Sequence, residues 1–346
     1  MASSENTSTR HPRAAVPEHE AAPAPAAEGS AAELPFTMRV LAGSESQAYR
    51  GYEPEELAIF DRFRPAPRPP EPGFVTDFLN VRTDVSSLWE EARAHLDNQR
   101  LDVPVPGDYR AETIEWLGLL RSVAEARDAR NEFVAMELGA GIGPWLVSGA
   151  AAARHLGIEQ VRLYGAEADA VHFALMRQHF RDNGLDPDEH SLLNVAVGAK
   201  PGTARWPEVP DPVNEWATRP ARENDALDHG YAGCRLARSV EIPVLPAAKL
   251  VEREPRWDLV HLDLQGWEAE VCNEAIDAMD QRVHRLVVGL HSRRLEGEVL
   301  ALFYSHGWML ENEKPTRFVY EPAAPTIENM TVLDGIQVWR NPRLAS

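Results

Sequence analysis

From residue 131 onward, short apolar runs alternate with amphipathic stretches of helical period. Residues 133–138 predict a strand, and a glycine turn follows it. A helix is predicted over 144–156, with Pro144 in its first turn and Gly157 as its stop. Residues 161–166 form the next strand, and a helix runs from Asp169, a good N-cap, to Asn183-Gly184, a good C-cap. Further strands fall at 191–197, 239–244, 257–263 and 285–290, helices at 266–279 and 293–306, and two late strands near 307–311 and 331–339. Leu259-Val260-His261-Leu262 and Leu286-Val287-Val288 are nearly all apolar, as parallel strands covered on both faces are. Repeated β-α units imply an α/β fold with a doubly wound parallel sheet and right-handed crossovers.

The pattern before residue 131 differs. Residues 1–35 are dominated by Ala, Pro, Glu and Ser, too little apolar surface to offset the entropy of ordering, and are expected to be a disordered tail. Residues 36–130 carry a proline-dense patch at 64–72, which must be extended, then helical patterns at 86–98 and 110–127. Ile114, Leu117, Leu119, Leu120 and Val123 give the second pattern one apolar stripe. The expectation is a mostly helical N-terminal cap leading into a main domain over 131–346. Within that domain, 205–235 holds Trp206, Trp216, His229, Tyr231 and several prolines but few aliphatics, and is expected to be a lid insertion.

Composition narrows the partners more than the fold. A formal charge of −19 argues against nucleic acid, whose binders cluster Lys and Arg, and against an anionic membrane surface. No apolar run reaches the ~18 residues a spanning helix needs, and the first residues hold no continuous apolar segment of the kind a signal peptide requires, so none is expected. Two cysteines, Cys234 and Cys272, make neither a disulfide framework nor a zinc spacing. A cytoplasmic protein is expected, with a homo-oligomer left open.

Glu137-Leu138-Gly139-Ala140-Gly141-Ile142-Gly143 lies between a strand and a helix. Glycines there permit a tight turn and let a ligand approach the backbone, beside the free N–H groups of the following helix. Such a turn fits an NAD enzyme, a methyltransferase or a plain tight turn. Glu167, at the end of the next strand, is placed to accept the hydroxyls of a ribose. The NAD alternative normally wants G-x-G-x-x-G, whereas Trp145 and Leu146 follow Gly143.

Three segments together carry a family resemblance: 137–143, 194–198 (Asn-Val-Ala-Val-Gly) and 260–268 (Val-His-Leu-Asp-Leu-Gln-Gly-Trp-Glu). In order and spacing, over about 131–311, the chain resembles the FkbM family of S-adenosylmethionine-dependent methyltransferases. It departs from that family at Gln265, where Glu is usual, and at Ala247-Ala248, where an Asp pair is common. The resemblance implies a Rossmann-like class I methyltransferase sheet, S-adenosylmethionine as cofactor and a small-molecule hydroxyl, on a sugar or natural product, as methyl acceptor. It places Glu137, Gly139, Ala140, Gly141 and Gly143 at the methionine part, Glu167 at the ribose, and Ala196 and Val197 near the adenine. Tyr109, Glu112 and Trp116, on the helix leading into the glycine strand with Glu112 and Trp116 on one face, either close over the cofactor or belong to an ordinary amphipathic packing helix.

Methyl transfer to a neutral hydroxyl needs a proton acceptor. Asp263 and His291 fall beyond the carboxyl ends of their strands, and Asp263 is also a candidate cofactor contact. His291 titrates near neutrality and is a candidate base, with a structural histidine as the alternative; His261 is expected to be a satisfied buried histidine. His229, Tyr231 and Glu268 are candidate substrate contacts. Mg²⁺ would suit the carboxylates of Asp263 and Glu268, but no spacing demands a metal, and none is expected. A non-catalytic methyltransferase-fold binding protein stays open because of Gln265 and Ala247-Ala248.

Overall fold

The computed structural model describes residues 50–216, 218–220, 238–324 and 328–344, so the tail at 1–35 and His229, Tyr231 and Cys234 lie outside the described residues. The N-terminal part contains strands β1 (Phe74–Thr76), β2 (Arg82–Asp84) and β3 (Gln99–Arg100), helix α1 (Glu90–Leu96) and helix α2 (Thr113–Ala129). The three strands form a small sheet in the order β2–β1–β3. Helices still make up most of the ordered structure before residue 131, a 3-10 helix at Pro54–Arg62 with α1 and α2, while Gln99 and Arg100, just past the 86–98 pattern, pair with Val75 and Thr76.

The main domain then runs β4 (Glu132–Leu138), α3 (Pro144–His155), β5 (Gln160–Glu167), α4 (Ala170–Asp182) and β6 (Ser191–Asn194). Next come β7 (Ala196–Gly198), β8 (Gly202–Pro207), β9 (Ser239–Pro246), α5 (Ala247–Val251), β10 (Leu259–Leu262) and α6 (Glu268–Arg282). The chain ends with β11 (Arg285–Leu290), α7 (Arg293–Ser305), β12 (Met309–Lys314), β13 (Arg317–Phe318), β14 (Thr331–Leu333) and β15 (Gly335–Arg340).

Seven strands make the central sheet in the order β12–β15–β11–β10–β4–β5–β6. Only β15 runs against its neighbours. Strand order reverses between β4 and β10, and at such a point an α/β sheet opens a crevice beyond its carboxyl ends. Phe133, Ala135, Leu259 and Val287 pack on one face with α2 and α3, while Val134, Met136, Val260 and Leu286 pack on the other with α6 and α7. Burial on both faces explains the unbroken apolar runs of β10 and β11. The sheet is thus the Rossmann-like, doubly wound one that the chain pattern predicts.

One expected strand is in fact two. The run at 191–197 breaks at Val195, whose N–H donates to the Glu167 carbonyl (3.1 Å). Beyond it, β7 joins β9 and β8 in a separate three-stranded sheet, so the strand expected at 239–244 does not enter the central one. Residues 205–207, expected in the lid, belong to β8. Among the described residues, no helix is long and apolar enough to cross a membrane.

Candidate functional site

The turn after β4 is built for close approach. Gly139 has φ +76°, and a Cβ there would lie 1.8 Å from the Asp263 carbonyl oxygen, so the backbone of the two strand ends leaves no room for a side chain. The N–H groups of Gly139 and Ala140 both donate to the Ala166 carbonyl (3.0 Å each). Gly141 has φ +52°, and a Cβ there would meet the Trp216 ring at 2.9 Å. Its N–H donates to Glu167 Oε2 (2.7 Å), while Glu167 Oε1 accepts from the Asp169 N–H (2.7 Å). Burial pushes the Glu167 carboxyl up to about 7 in spite of these donors. Gly143 caps α3 ahead of Pro144.

These residues wall a cavity of about 330 Å³ at the strand-order reversal. Ala196, Val197 and Trp206 stand on one side; the Trp206 indole N–H points to Asp169 Oδ2 at 3.4 Å. Trp216 covers the glycine turn and stacks on His172 with centroids 4.3 Å apart. Trp89, Tyr109 and Trp267 line the other end, with Asp263, Gln265 and Asp334. Glu137, Glu115 and His261 complete the wall. Glu137 lies beside His261 in the sheet and accepts the Leu146 N–H at the start of α3 (3.2 Å). Burial holds the Glu115 and Glu137 carboxyls well above the usual range and pushes the His261 imidazole down to about 4. Glu115 Oε1 and His261 Nε2 are 3.3 Å apart.

Asp263 follows β10 directly, its side chain 38% exposed on the cavity wall. Behind it, His291 Nε2 lies 3.3 Å from Asp263 Oδ1, and His291 Nδ1 lies 2.9 Å from Glu268 Oε1. Burial alone would lower the imidazole, but the two carboxylates reverse this and push it up to about 10. Glu268 is fully buried and accepts from the N–H groups of Leu264 (3.0 Å) and Gly266 (3.0 and 3.1 Å). The facing atoms of Asp263, Glu268 and His291 come within 4.8 Å of one another. Mg²⁺, which takes oxygen ligands, would find only the carboxylates of Asp263 and Glu268 in this group, both already turned to His291.

No family model matches the chain. A protein named "Putative methyltransferase" from Jannaschia sp. (strain CCS1) is 31% identical over 274 residues, which covers 79% of this chain and 94% of that one. The chain belongs to the methyltransferases. Solved structures that resemble it include the METTL16 MTase domain, 12% identical with 67% of each chain covered and a TM-score of 0.36. Another is the precorrin-6y C5,15-methyltransferase from Geobacter metallireducens GS-15, 12% identical with 64% of this chain and 86% of that one covered and a TM-score of 0.34. Likeness at that level carries no argument; the fold of this methyltransferase rests on its own strand order.

Glu137, Gly139, Ala140, Gly141, Glu167, Ala196, Val197, Asp263 and Tyr109, nine residues singled out from the sequence, line the one cavity. Five others stand elsewhere. Trp116, expected over the cofactor, is fully buried between Phe78 and Trp145 at 5.2 and 5.1 Å. Its neighbour Glu115 takes the cavity-facing position, because the apolar stripe of α2 turns the larger ring into the core. Glu112 instead pairs with Lys314 (2.6 Å). Glu268, expected at the substrate, braces the turn after β10, and His291 is enclosed behind Asp263. Gly143 packs toward Met176 and Phe180. Glu115 and Gln265 went unrecognised as wall residues; the signal for Glu115 was its place three residues after Glu112, where the two complete a capping box.

Proposed function

We propose that this methyltransferase uses S-adenosylmethionine to methylate a hydroxyl of a small molecule, a sugar or a natural product, as the resemblance to the FkbM family implies. The observation that carries the cofactor is the glycine turn, open to the same cavity as Glu167 and Asp263, with no room for a side chain at Gly139. The fit to a sulfonium nucleoside is good. Bare backbone admits the amino-acid part beside Gly141, Glu167 offers a carboxylate to ribose hydroxyls, and Ala196, Val197 and Trp206 supply a flat apolar wall for adenine. Acidic and aromatic side chains around the cavity suit a cation.

When bound, the cofactor supplies a methyl group on sulfur that a nucleophile in line with the methyl–sulfur axis can displace. Asp263 faces the cavity and takes the proton of the acceptor hydroxyl as that oxygen attacks. Partial withdrawal from water raises its carboxyl above the usual range, with His291 pulling the other way. Of the two roles the sequence offers His291, base or structural histidine, its enclosure behind Asp263 supports the second, and it orients Asp263. Trp89, Tyr109 and Trp267 exclude water from that end.

Calorimetric titration tests this. S-adenosylhomocysteine should bind with micromolar affinity and NADH not at all. Gly141→Val should weaken the nucleoside at least ~100-fold, since its side chain fills the gap beneath Trp216. Binding of NADH, or full nucleoside affinity in the variant, refutes the assignment.

A further inference from the structure

Four described residues other than glycine have positive φ: Asn80, Asn98, Asn131 and Gln265. Three are asparagine, whose short amide tolerates the left-handed region. Gln265, at φ +52°, has no such tolerance, and a backbone held there against preference is found where surrounding structure imposes it. The constraint is visible. Glu268 takes the N–H groups of Leu264 and Gly266 on either side of Gln265, pinning the turn from below.

What the strained turn delivers is an amide at Asp263. Gln265 Nε2 donates to Asp263 Oδ1 at 3.0 Å, the same oxygen that faces His291 Nε2 at 3.3 Å. Asp263 Oδ2 lies over Gly289, 3.2 Å from where a Cβ would stand, so any side chain at 289 would crowd the carboxylate. Oδ1 thus accepts from the Gln265 amide and faces the His291 imidazole, whereas Oδ2 has no hydrogen-bond donor among the described residues.

We infer that Gln265 is a positioning residue: its amide clamps Asp263 Oδ1 so that Oδ2 is the oxygen presented to the acceptor hydroxyl. This rests on Asp263 being the proton acceptor. The charged and titratable groups around that carboxylate are His291 and Glu268 behind it, His261 two residues earlier on the strand, Asp334 ahead of β15, and Glu115 and Glu137 across the cavity. His291 is the cation of this set, and Gln265 adds a neutral donor that no pH change in the working range removes.

The test compares wild type, Gln265→Gly and Gln265→Glu in the full chain. Glycine suits the left-handed backbone, so Gln265→Gly should unfold at the same temperature or higher. It should nonetheless raise the titration midpoint of Asp263, read by ¹³C NMR of labelled aspartate and assigned with Asp263→Asn, by about 1–2 pH units, the worth of one hydrogen bond to a charged group. Gln265→Glu should raise it further. With labelled methyl donor and an acceptor from a screen, the acid limb of the rate profile should move with the midpoint. An unmoved midpoint in Gln265→Gly, or activity that merely follows melting temperature across the variants, overturns the inference. The titration needs no acceptor and no cofactor; a wild type that fails to bind S-adenosylhomocysteine would sink the reading beneath it and leave the clamp judged separately.

Discussion

His291 offers the sharpest test of the electrostatics. Its ring is 3% exposed and lies between Glu268 and Asp263. The folded imidazole is held at about 10 against an ordinary value of 6.5. At ~1.36 kcal/mol per pH unit, that gap corresponds to about 5 kcal/mol of linkage. Loss of one partner from a buried pair costs a similar ~3–5 kcal/mol. Because the folded value lies above the unfolded one, the contribution is complete below pH 6.5 and fades as pH climbs towards 10. His291→Gln keeps much of the volume and a donor but removes the charge, and His291→Ala removes all three. At about 1.4 °C per kcal/mol for a chain of 346 residues, either variant should melt about 4–7 °C below wild type at pH 6. The deficit should shrink as pH rises from 7 to 10. Calorimetry at pH 6, 8 and 9.5 reads both effects. A variant within about 2 °C of wild type at pH 6, or a deficit that does not change with pH, would show that His291 is not a buried cation.

Asp263→Asn keeps the shape of the side chain but cannot take a proton, so methyl transfer should fall by ~10²–10⁴-fold in a labelled-donor assay while S-adenosylhomocysteine still binds; a loss below tenfold would remove Asp263 as base. Glu167 is held near 7 by burial, and its ionised form is the better acceptor for ribose hydroxyls. S-adenosylhomocysteine affinity should therefore rise about tenfold between pH 6 and 8 in wild type and stay flat in Glu167→Gln, measured by calorimetric titration; equal slopes would disconnect Glu167 from the nucleoside.

The strand and helix rhythm of the main domain was legible because β4, β10 and β11 are covered on both faces and their sequences could hardly be anything but apolar. The glycine turn and Glu167 were legible for a related reason, since close backbone approach leaves few residue choices. What hid was decided by rotation and by partners. Trp116 and Glu115 are adjacent on α2, and only the packing against Phe78 and Trp145 decides which one faces the cavity. His291 reads as a free imidazole until Glu268 is brought 2.9 Å from it by a different helix. The N-terminal strands are only two or three residues long, below the length at which alternation can be seen.

The hop at Val195 shapes how this enzyme can change. The central sheet carries the glycine turn, Glu167 and Asp263, whereas Ala196, Val197 and Trp206 ride on a three-stranded annex that the chain enters by a single residue after β6 and leaves through α5. Substitutions in the annex can reshape one flank of the cavity without touching the ladder that aligns the others. Selection can therefore retune that flank while the residues on the central sheet keep their places.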